Sequence, residues 1–292
     1  MLCSTIIPTI NRASLPRAVM SVLEQDLEPQ EHEIIVVNDS GEPLPKAPWL
    51  ASPLITVIDT NRRERSVARN AGAAVARGRY LHFLDDDDVL LPGALPAFWE
   101  LSQRTEAAWL FGSWQTVDND GNLLAEFRPD LHGNISALLV AGESLPLQAS
   151  LLEARAFFAA GAFDPAIVGV EDRDLGRRLG LSVEIAHTPA LVARIRVGER
   201  GSTTKWSTLA EQDRWGREKA LGAPNAPSRL RRSAHTCYWR GRVARAYLAS
   251  TVWNLRKGNA LTALSRAAAG VALALPSGFR PSFWQGLRTR NP

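Results

Sequence analysis

The sequence predicts an α/β protein: a parallel sheet covered by helices in the first half, a mixed second half, and a helical hairpin at the C-terminal end. Three observations carry this. Short β-branched runs alternate with helically spaced apolar segments as far as Pro92, the pattern changes beyond it, and a proline-containing segment, Gly222 to Ser228, precedes two long helical runs. Strands alternating with helices mean a parallel sheet with both faces covered.

In chain order, Ser4 to Thr9 reads as a strand, and Ser14 stands as an N-cap before Leu15, Ala18, Val19, Val22 and Leu23 at helical spacing. Glu33 to Asn38 and Leu54 to Asp59 are further apolar strands. Glu64 to Arg77 reads as a helix, and Arg79 to Leu84 as a strand that ends in acid. Pro92 starts another helix. Trp109 to Trp114 and Leu145 to Leu152 look like strands, joined through the turn Asp118-Asn119-Asp120-Gly121. Gly222 to Ser228 reads as a linker. Cys237 to Arg256 and Ala260 to Leu275 then form a hairpin about Lys257-Gly258-Asn259.

With 45% hydrophobic and 22% charged residues among 292, the composition excludes a disordered, collagen-like or coiled-coil chain. Cys3 and Cys237 are too few and too far apart for a disulfide framework or a Cys-rich metal knot, which fits a reducing cytoplasm. Asn11 and Arg12 interrupt the apolar run after Met1, so no secretory leader is expected. The most apolar stretch, Ala267 to Pro276, is about half of the roughly 20 residues a spanning helix needs.

The net charge of +4 hides a division. Residues Pro224 to Pro292 hold 12 Arg and Lys and no Asp or Glu, which leaves 22 basic against 30 acidic residues before them. An acidic body of residues 1–223 therefore carries a basic helical tail, 224–292, suited to an anionic partner. Trp239, Tyr247 and Trp253, interleaved with arginines, admit two readings: a membrane-interface face on anionic lipid, or a hairpin packed on the body with its arginines solvated. Nucleic acid is not expected, because no binding motif is present.

The run Asp85-Asp86-Asp87-Asp88 directly follows an apolar strand. Adjacent carboxylates at the mouth of a core repel one another unless a cation neutralises them, and an all-oxygen donor set suits Mg²⁺ or Mn²⁺ shared with phosphates. In open α/β sheets ligands gather at the carboxyl ends of strands. Thr9-Ile-Asn11-Arg12, Asn38-Asp39-Ser40-Gly41 and the acidic run all occupy such ends.

Pro8-Thr-Ile-Asn-Arg12, Ser21-Val-Leu-Glu-Gln25, Ile34-Ile-Val-Val-Asn-Asp39, Arg65-Ser-Val-Ala-Arg-Asn-Ala-Gly72, Phe83-Leu-Asp-Asp-Asp-Asp88 with Pro92, and Gly169-Val-Glu-Asp172 occur in that order. Together they resemble a family-2 glycosyltransferase with the GT-A fold, over residues 1 to about 205. The resemblance implies a Rossmann-like mixed sheet, with nucleotide-sugar binding over about 1–105 and the acceptor half over about 106–223. It implies inverting transfer of a sugar from a nucleotide diphosphate, most often a UDP-sugar, to an acceptor hydroxyl in surface polysaccharide or glycolipid synthesis. Pro8, Thr9 and Asn11 fall in the loop around the nucleotide, Asp39 accepts from the base, and Arg65 and Asn70 approach the nucleotide and its diphosphate. Asp85 and Asp87 are the signature carboxylates, with Asp87 the direct metal ligand. Asp86 has two readings, ribose or metal, and Asp88 reads as a cap on the turn that follows. Asp172 is the general base, against a competing reading of the acid pair as a helix N-terminus.

Two departures stand out. Ile10 replaces an aromatic residue, and the stretch Arg194 to Thr204 lacks the late histidine, leaving Arg194, Arg196 and Arg200 as substitutes suited to phosphate. His132 and His187 have no ligand spacing and read as structural or exposed; Trp109 reads as core, and Trp114 as core or sugar platform. Two other functions share the α/β start. A sugar-phosphate nucleotidyltransferase would carry a Gly- and Lys/Arg-rich loop after the first strand, which Pro8 to Asn11 is not. A non-catalytic sugar-nucleotide or polysaccharide binding module would lack turnover. The expected setting is cytoplasmic, peripheral on the inner face of the membrane, with a glycan or lipid-linked acceptor.

Overall fold

A computed structural model describes residues 1–28, 31–61, 63–198 and 206–289. The chain packs as two compact units, one drawn from residues 1–133, 145–166 and 183–203, the other from 134–144, 167–182 and 204–292.

The first unit is built on a mixed sheet. Strand β1 (Cys3–Thr9) lies at the centre of its parallel part, between β2 (His32–Asn38) and β4 (Tyr80–Phe83), and β2 also pairs with β3 (Ile55–Asp59). Beyond β4 the order continues through β8 (Ser150–Glu153), β6 (Trp109–Val117) and β9 (Ile185–Arg196) to the short β5 (Val89–Leu90), and β7 (Leu123–Phe127) pairs with β6. Helices α1 (Leu15–Leu23), α2 (Arg65–Val75), α3 (Ala94–Ser102) and α5 (Ala154–Ala159) belong to the same unit. Every residue of β2 is buried, as a central parallel strand requires.

The strand order β3-β2-β1-β4 reverses direction at β1, which opens a crevice at the carboxyl ends of β1 and β4. Pro8 fits that opening. The Leu84 N–H donates to the Ile6 carbonyl at 3.0 Å, and Ile6 pairs with Phe83 in the last rung. Alternation points the nitrogen of residue 8 to the same side, beyond the final rung, where a missing N–H costs no ladder bond. Gly72 of α2 lets the helix approach the sheet closely: a Cβ there would stand 2.5 Å from Ile6 Cγ2.

Several sequence expectations need correction. Ser14 sits at the N-cap of α1 in helical geometry and makes no side-chain capping bond. The turn at Asp118 to Gly121 joins β6 to β7, and Leu147–Ala149 is a 3-10 turn before β8 rather than strand, so β6 and β8 are not a direct hairpin. Gln25, quoted above without a role, ties α1 to α3: its Nε2 donates to the Leu91 carbonyl at 3.0 Å and its Oε1 accepts from the Leu95 N–H at 3.0 Å. That satisfies an otherwise unpaired donor in the first turn of α3. Trp109 is core, and Trp114 stacks on Phe127 at 5.1 Å.

The second unit is helical: α4 (Ser136–Ala141), α6 (Glu171–Gly180), α7 (Trp206–Gly222), α8 (Ala226–Ser233), α9 (Cys237–Arg256), α10 (Ala260–Ala274) and α11 (Pro281–Arg288). The hairpin of α9 and α10 falls where the sequence places it, while the expected linker at Gly222 to Ser228 narrows to a short turn before α8. Packing joins the basic tail to earlier segments, because Leu230, Val243, Tyr247 and Leu273 share a core with Ala137, Val140 and Leu181. Arg177, buried, donates to the Leu139 and Asp213 carbonyls and pairs with the Asp213 carboxylate at 2.7 Å. Four tail cations are likewise spent inside this unit: Arg242 on the Ala141 carbonyl and Glu143, Arg245 on the carbonyls ending α11, Lys257 on Glu211 and Arg266 on Glu218. Among the described residues no helix is long and apolar enough to cross a membrane.

Helices α9 and α11 touch backbone to backbone at Gly241 and Gly286, where a Cβ on Gly286 would run into the Tyr238 carbonyl. Gly286→Ala is therefore expected to cost about 1–3 kcal/mol, read as a lower denaturant midpoint. An unchanged midpoint would count against that close crossing.

Candidate functional site

Three strand ends meet at the crevice of the first unit. At the end of β1, Thr9 is buried; its Oγ1 accepts from the Asn11 N–H at 2.9 Å and donates to Asp86 Oδ2 at 2.6 Å. Asn11 takes a left-handed conformation, φ 66°, which turns the chain so that Arg12 reaches back to Asp86 at 2.6 Å and Asp87 at 3.3 Å. Ile10 is exposed.

Asp39, after β2, is buried. Its carboxylate accepts from the Thr60 hydroxyl at 2.7 Å and from the Glu64 N–H at 2.5 Å. Glu64 is the N-cap of α2, its carboxylate accepting from the Ser66 and Val67 N–H groups. Asp39 thus anchors the start of the helix that carries Arg65, Arg69 and Asn70. Arg65 is exposed, and its positive charge acts on Asp85. The Asn70 amide is engaged at both ends by the Phe163 backbone, at 2.8 and 3.0 Å. It clamps Phe163, whose ring lies 5.4 Å from the Arg69 guanidinium carbon.

The four aspartates after β4 have divided their roles. Asp86 is buried with both oxygens turned to Thr9 and Arg12. Asp85 accepts from Arg69 at 2.6 Å and from Gln148 Nε2 at 3.0 Å. Burial pushes its pKa up, but the Arg69 charge and hydrogen bond outweigh that and hold it below the usual carboxylate range. Asp87 is raised by burial and by the charge of Asp85, with Arg12 opposing. Asp88 is raised to about 8 by burial and Asp85, although the Arg196 N–H donates to it at 2.7 Å.

Oxygens of Asp85, Asp87 and Asp88 all lie within 4.8 Å of one another. Hard carboxylate donors so close, two of them resisting ionisation, fit a divalent cation of the Mg²⁺ or Mn²⁺ kind. Asp88, read from sequence as no more than a turn cap, is brought into this group; Asp86, between the signature positions, is turned away from it.

Beneath the cluster, His82 is buried, its Nδ1 3.2 Å from Thr5 Oγ1 and its Nε2 3.0 Å from the Gln148 carbonyl. A carbonyl only accepts, so the hydrogen is assigned to Nε2 and Thr5 donates to Nδ1. Burial lowers its pKa to about 4. The neutral ring holds the residue whose side chain supports Asp85.

Sequence reasoning missed Arg12, Arg69, Gln148 and Asp88 as site residues. Arg12 and Arg69 lie inside the quoted motifs, and Arg69 follows Arg65 by four positions on one helix face, a readable signal. Gln148 carries none. Of the late arginines, Arg194 donates to Gln115 at 3.4 Å and Arg196 to the Asn119 carbonyl at 2.9 Å, so Arg196 meets the acidic run through its backbone; Arg200 lies outside the described residues. His187, half-buried, packs on Phe111 at 4.7 Å, and His132 is exposed.

Asp172 belongs to the second unit, on the first turn of α6 with Glu171 and Asp174. Val170 is the N-cap; the Asp172 carboxylate accepts from the Arg173 N–H at 2.7 Å. Asp174 is buried between Arg178, at 2.6 Å, and Lys219, at 3.3 Å, a structural role distinct from that of its neighbour.

A parallel sheet reversing at β1, extended by antiparallel strands and carrying acid at the end of β4, is a GT-A fold. Solved structures share it: Staphylococcus aureus TarS 1–349 superposes with a TM-score of 0.63 at 14% identity over 95% of this chain and 92% of that one. The same fragment in complex with UDP-GlcNAc gives 0.61 at 13% identity. Residues 4–134, a little under half of the chain, match glycosyl transferase family 2. Relatives include the poly(ribitol-phosphate) β-N-acetylglucosaminyltransferase TarP of Staphylococcus aureus, 29% identical over 38% of this chain and 36% of that protein. Another is the GalNAc(5)-diNAcBac-PP-undecaprenol β-1,3-glucosyltransferase of Campylobacter jejuni, 31% identical over 42% and 41%. Each match spans less than half the length of the relative.

The aspartates impose a pH signature. A carboxyl raised to about 8 binds more protons folded than unfolded above about pH 4, so Asp88 makes the metal-free protein less stable as pH rises from there to about 8. The lowered Asp85 acts oppositely, losing its contribution only as pH falls below its ordinary value. Mn²⁺ should therefore raise the melting temperature far more at pH 8.5 than at pH 5, and Asp88→Asn should flatten the difference. Equal metal effects at both pH values would contradict this electrostatic account.

Proposed function

We propose that the chain is a metal-dependent inverting glycosyltransferase that moves a sugar from a nucleotide diphosphate donor, a UDP-sugar, to an acceptor hydroxyl of a glycan or lipid-linked saccharide. The observation that carries the reading is the Asp85, Asp87 and Asp88 cluster at the sheet's reversal point, where Thr9 donates to Asp86 and its carbonyl accepts from the Asp39 N–H. Support also comes from the UDP-GlcNAc complex of a protein with the same fold and from relatives named for polymer and undecaprenol-linked acceptors.

In this reading Asp39 accepts from the base, Pro8, Thr9 and Asn11 line the nucleotide, and Arg65 faces the phosphates. Asp87, Asp85 and Asp88 hold Mn²⁺ or Mg²⁺, which when bound supplies positive charge to the departing diphosphate. Asp86 and Arg12 keep the loop after β1 against the loop after β4. Arg69 and Gln148 keep Asp85 ionised and oriented, and Asn70 acts through Phe163. Asp172 takes the proton of the acceptor hydroxyl, whose own pKa lies far above neutrality. The basic residues of 224–292 place the enzyme on the cytoplasmic face of an anionic membrane, where a lipid-linked acceptor would be met.

The reading predicts that Asp87→Ala weakens metal-dependent UDP affinity by at least about tenfold, measured by calorimetry with and without Mn²⁺. Unchanged, still metal-dependent binding would place the cation elsewhere. Asp172→Asn should lower kcat by about 10²–10⁴-fold while leaving UDP affinity nearly intact. A variant that keeps its turnover would make the acid pair of α6 structural, and donor binding without turnover in the native chain would favour a binding module.

A further inference from the structure

Helix α10 presents an apolar stripe that nothing among the described residues covers. Leu261, Leu264, Ala268, Val271 and Leu275 recur at alternating spacings of three and four, and Phe279 continues the row past the helix end. All are exposed, Leu261 by 86% and Phe279 by 98%. The opposite face is spent on packing: Ala263 and Leu273 are buried, and Arg266, the one charged residue of α10, pairs with Glu218. The tail aromatics are not on the stripe. Tyr247 is buried, and Trp253 donates to Glu211 at 3.2 Å.

An uncharged apolar row of this length marks a docking surface. Its occupant follows from the ends. Arg256 and Lys257 precede the stripe and Arg280 follows it, all exposed; the Arg256 and Arg280 guanidiniums bond to no described residue, whereas Lys257 pairs with Glu211 at 3.0 Å. Pairing α10 with α10 of a second copy would bring cation against cation in either orientation, because residues 224–292 contain no acid to meet them. An anionic lipid surface meets both ends. Fifteen helical residues make about 22 Å, short of the roughly 30 Å hydrocarbon core, so the helix would lie flat rather than span.

We infer that α10 is an interfacial membrane anchor: the row from Leu261 to Phe279 enters the acyl boundary, and Arg256, Lys257 and Arg280 bind lipid phosphates at its two ends. The inference rests on the proposed peripheral position of the enzyme and names the element that holds it there. It differs from attachment by charge alone in having a component that salt does not screen.

The test is flotation of the full chain with phosphatidylcholine vesicles and with vesicles also containing phosphatidylglycerol, at low and high salt. The native chain is expected on the anionic vesicles at both salts, more weakly at high salt. The double variant Leu264→Gln/Leu275→Gln should lose the salt-resistant binding by about tenfold or more, and Arg256→Gln/Arg280→Gln should lose the low-salt gain. All four positions are exposed, and circular dichroism checks each fold. The inference is overturned if the native chain ignores anionic vesicles at low salt, if the leucine variant binds like the native chain, or if light scattering finds a dimer that the leucine variant dissolves. UDP affinity measured on the same samples is an independent readout, so its absence with vesicle binding intact would count against the enzyme reading alone.

Discussion

Four adjacent carboxylates at the end of one buried strand repel one another, and the first unit is arranged around dividing that charge. Asp86 is given to Thr9 and Arg12, and Asp85 to Arg69 and Gln148, while Asp88 takes a backbone N–H from Arg196. The donors come from the end of β1 and the loop after it, from helix α2, from the turn before β8 and from β9. The acidic run therefore organises the crevice as much as the crevice positions the run. The residual negative charge, shared by Asp85, Asp87 and Asp88, is what the fold leaves for a cation.

The partners of the acidic run are themselves held by groups that carry no charge. Ser21 of α1 and Gln25 just past it fix the chain on its far side, at Leu90, Leu91 and Leu95. His82 orients Gln148 from below and stays neutral at ordinary pH, so it supports Asp85 without competing with a cation for it. Neutral scaffolding under a charged site leaves the electrostatics to the groups that face the crevice.

Much of this was legible because it is local. The apolar runs of β1 to β4, the helical spacing of α9 and α10, and the acidic strand end are all patterns within a few residues. What was not legible is tertiary. Gln148 reaches Asp85 across 63 positions and has no pattern of its own. The split between Asp86 and Asp88 could not be read from four identical letters, because it depends on which side Arg12 and the Arg196 N–H approach from. Of the tail aromatics that suggested a membrane face, Tyr247 is buried in a core shared with α4, Trp239 packs partly against that core, and Trp253 donates to Glu211, contacts that composition does not reveal. Ser14 shows the opposite limit: its residue type predicted a capping bond that the backbone does not make.

The second unit has a consequence for the order in which the chain can assemble. Its core joins segments far apart in sequence: the Ser233 hydroxyl accepts from the Ala137 N–H across 96 residues, and Arg242 donates to the Ala141 carbonyl across 101. Residues 134–144 and 167–182 leave the ribosome long before the helices that bury them exist. Closing loops of that length is an entropic cost met only when the last helices arrive. The strands of the first unit can pair as they emerge, whereas the second unit must wait until α8 and α9 have been made, because those helices complete its core.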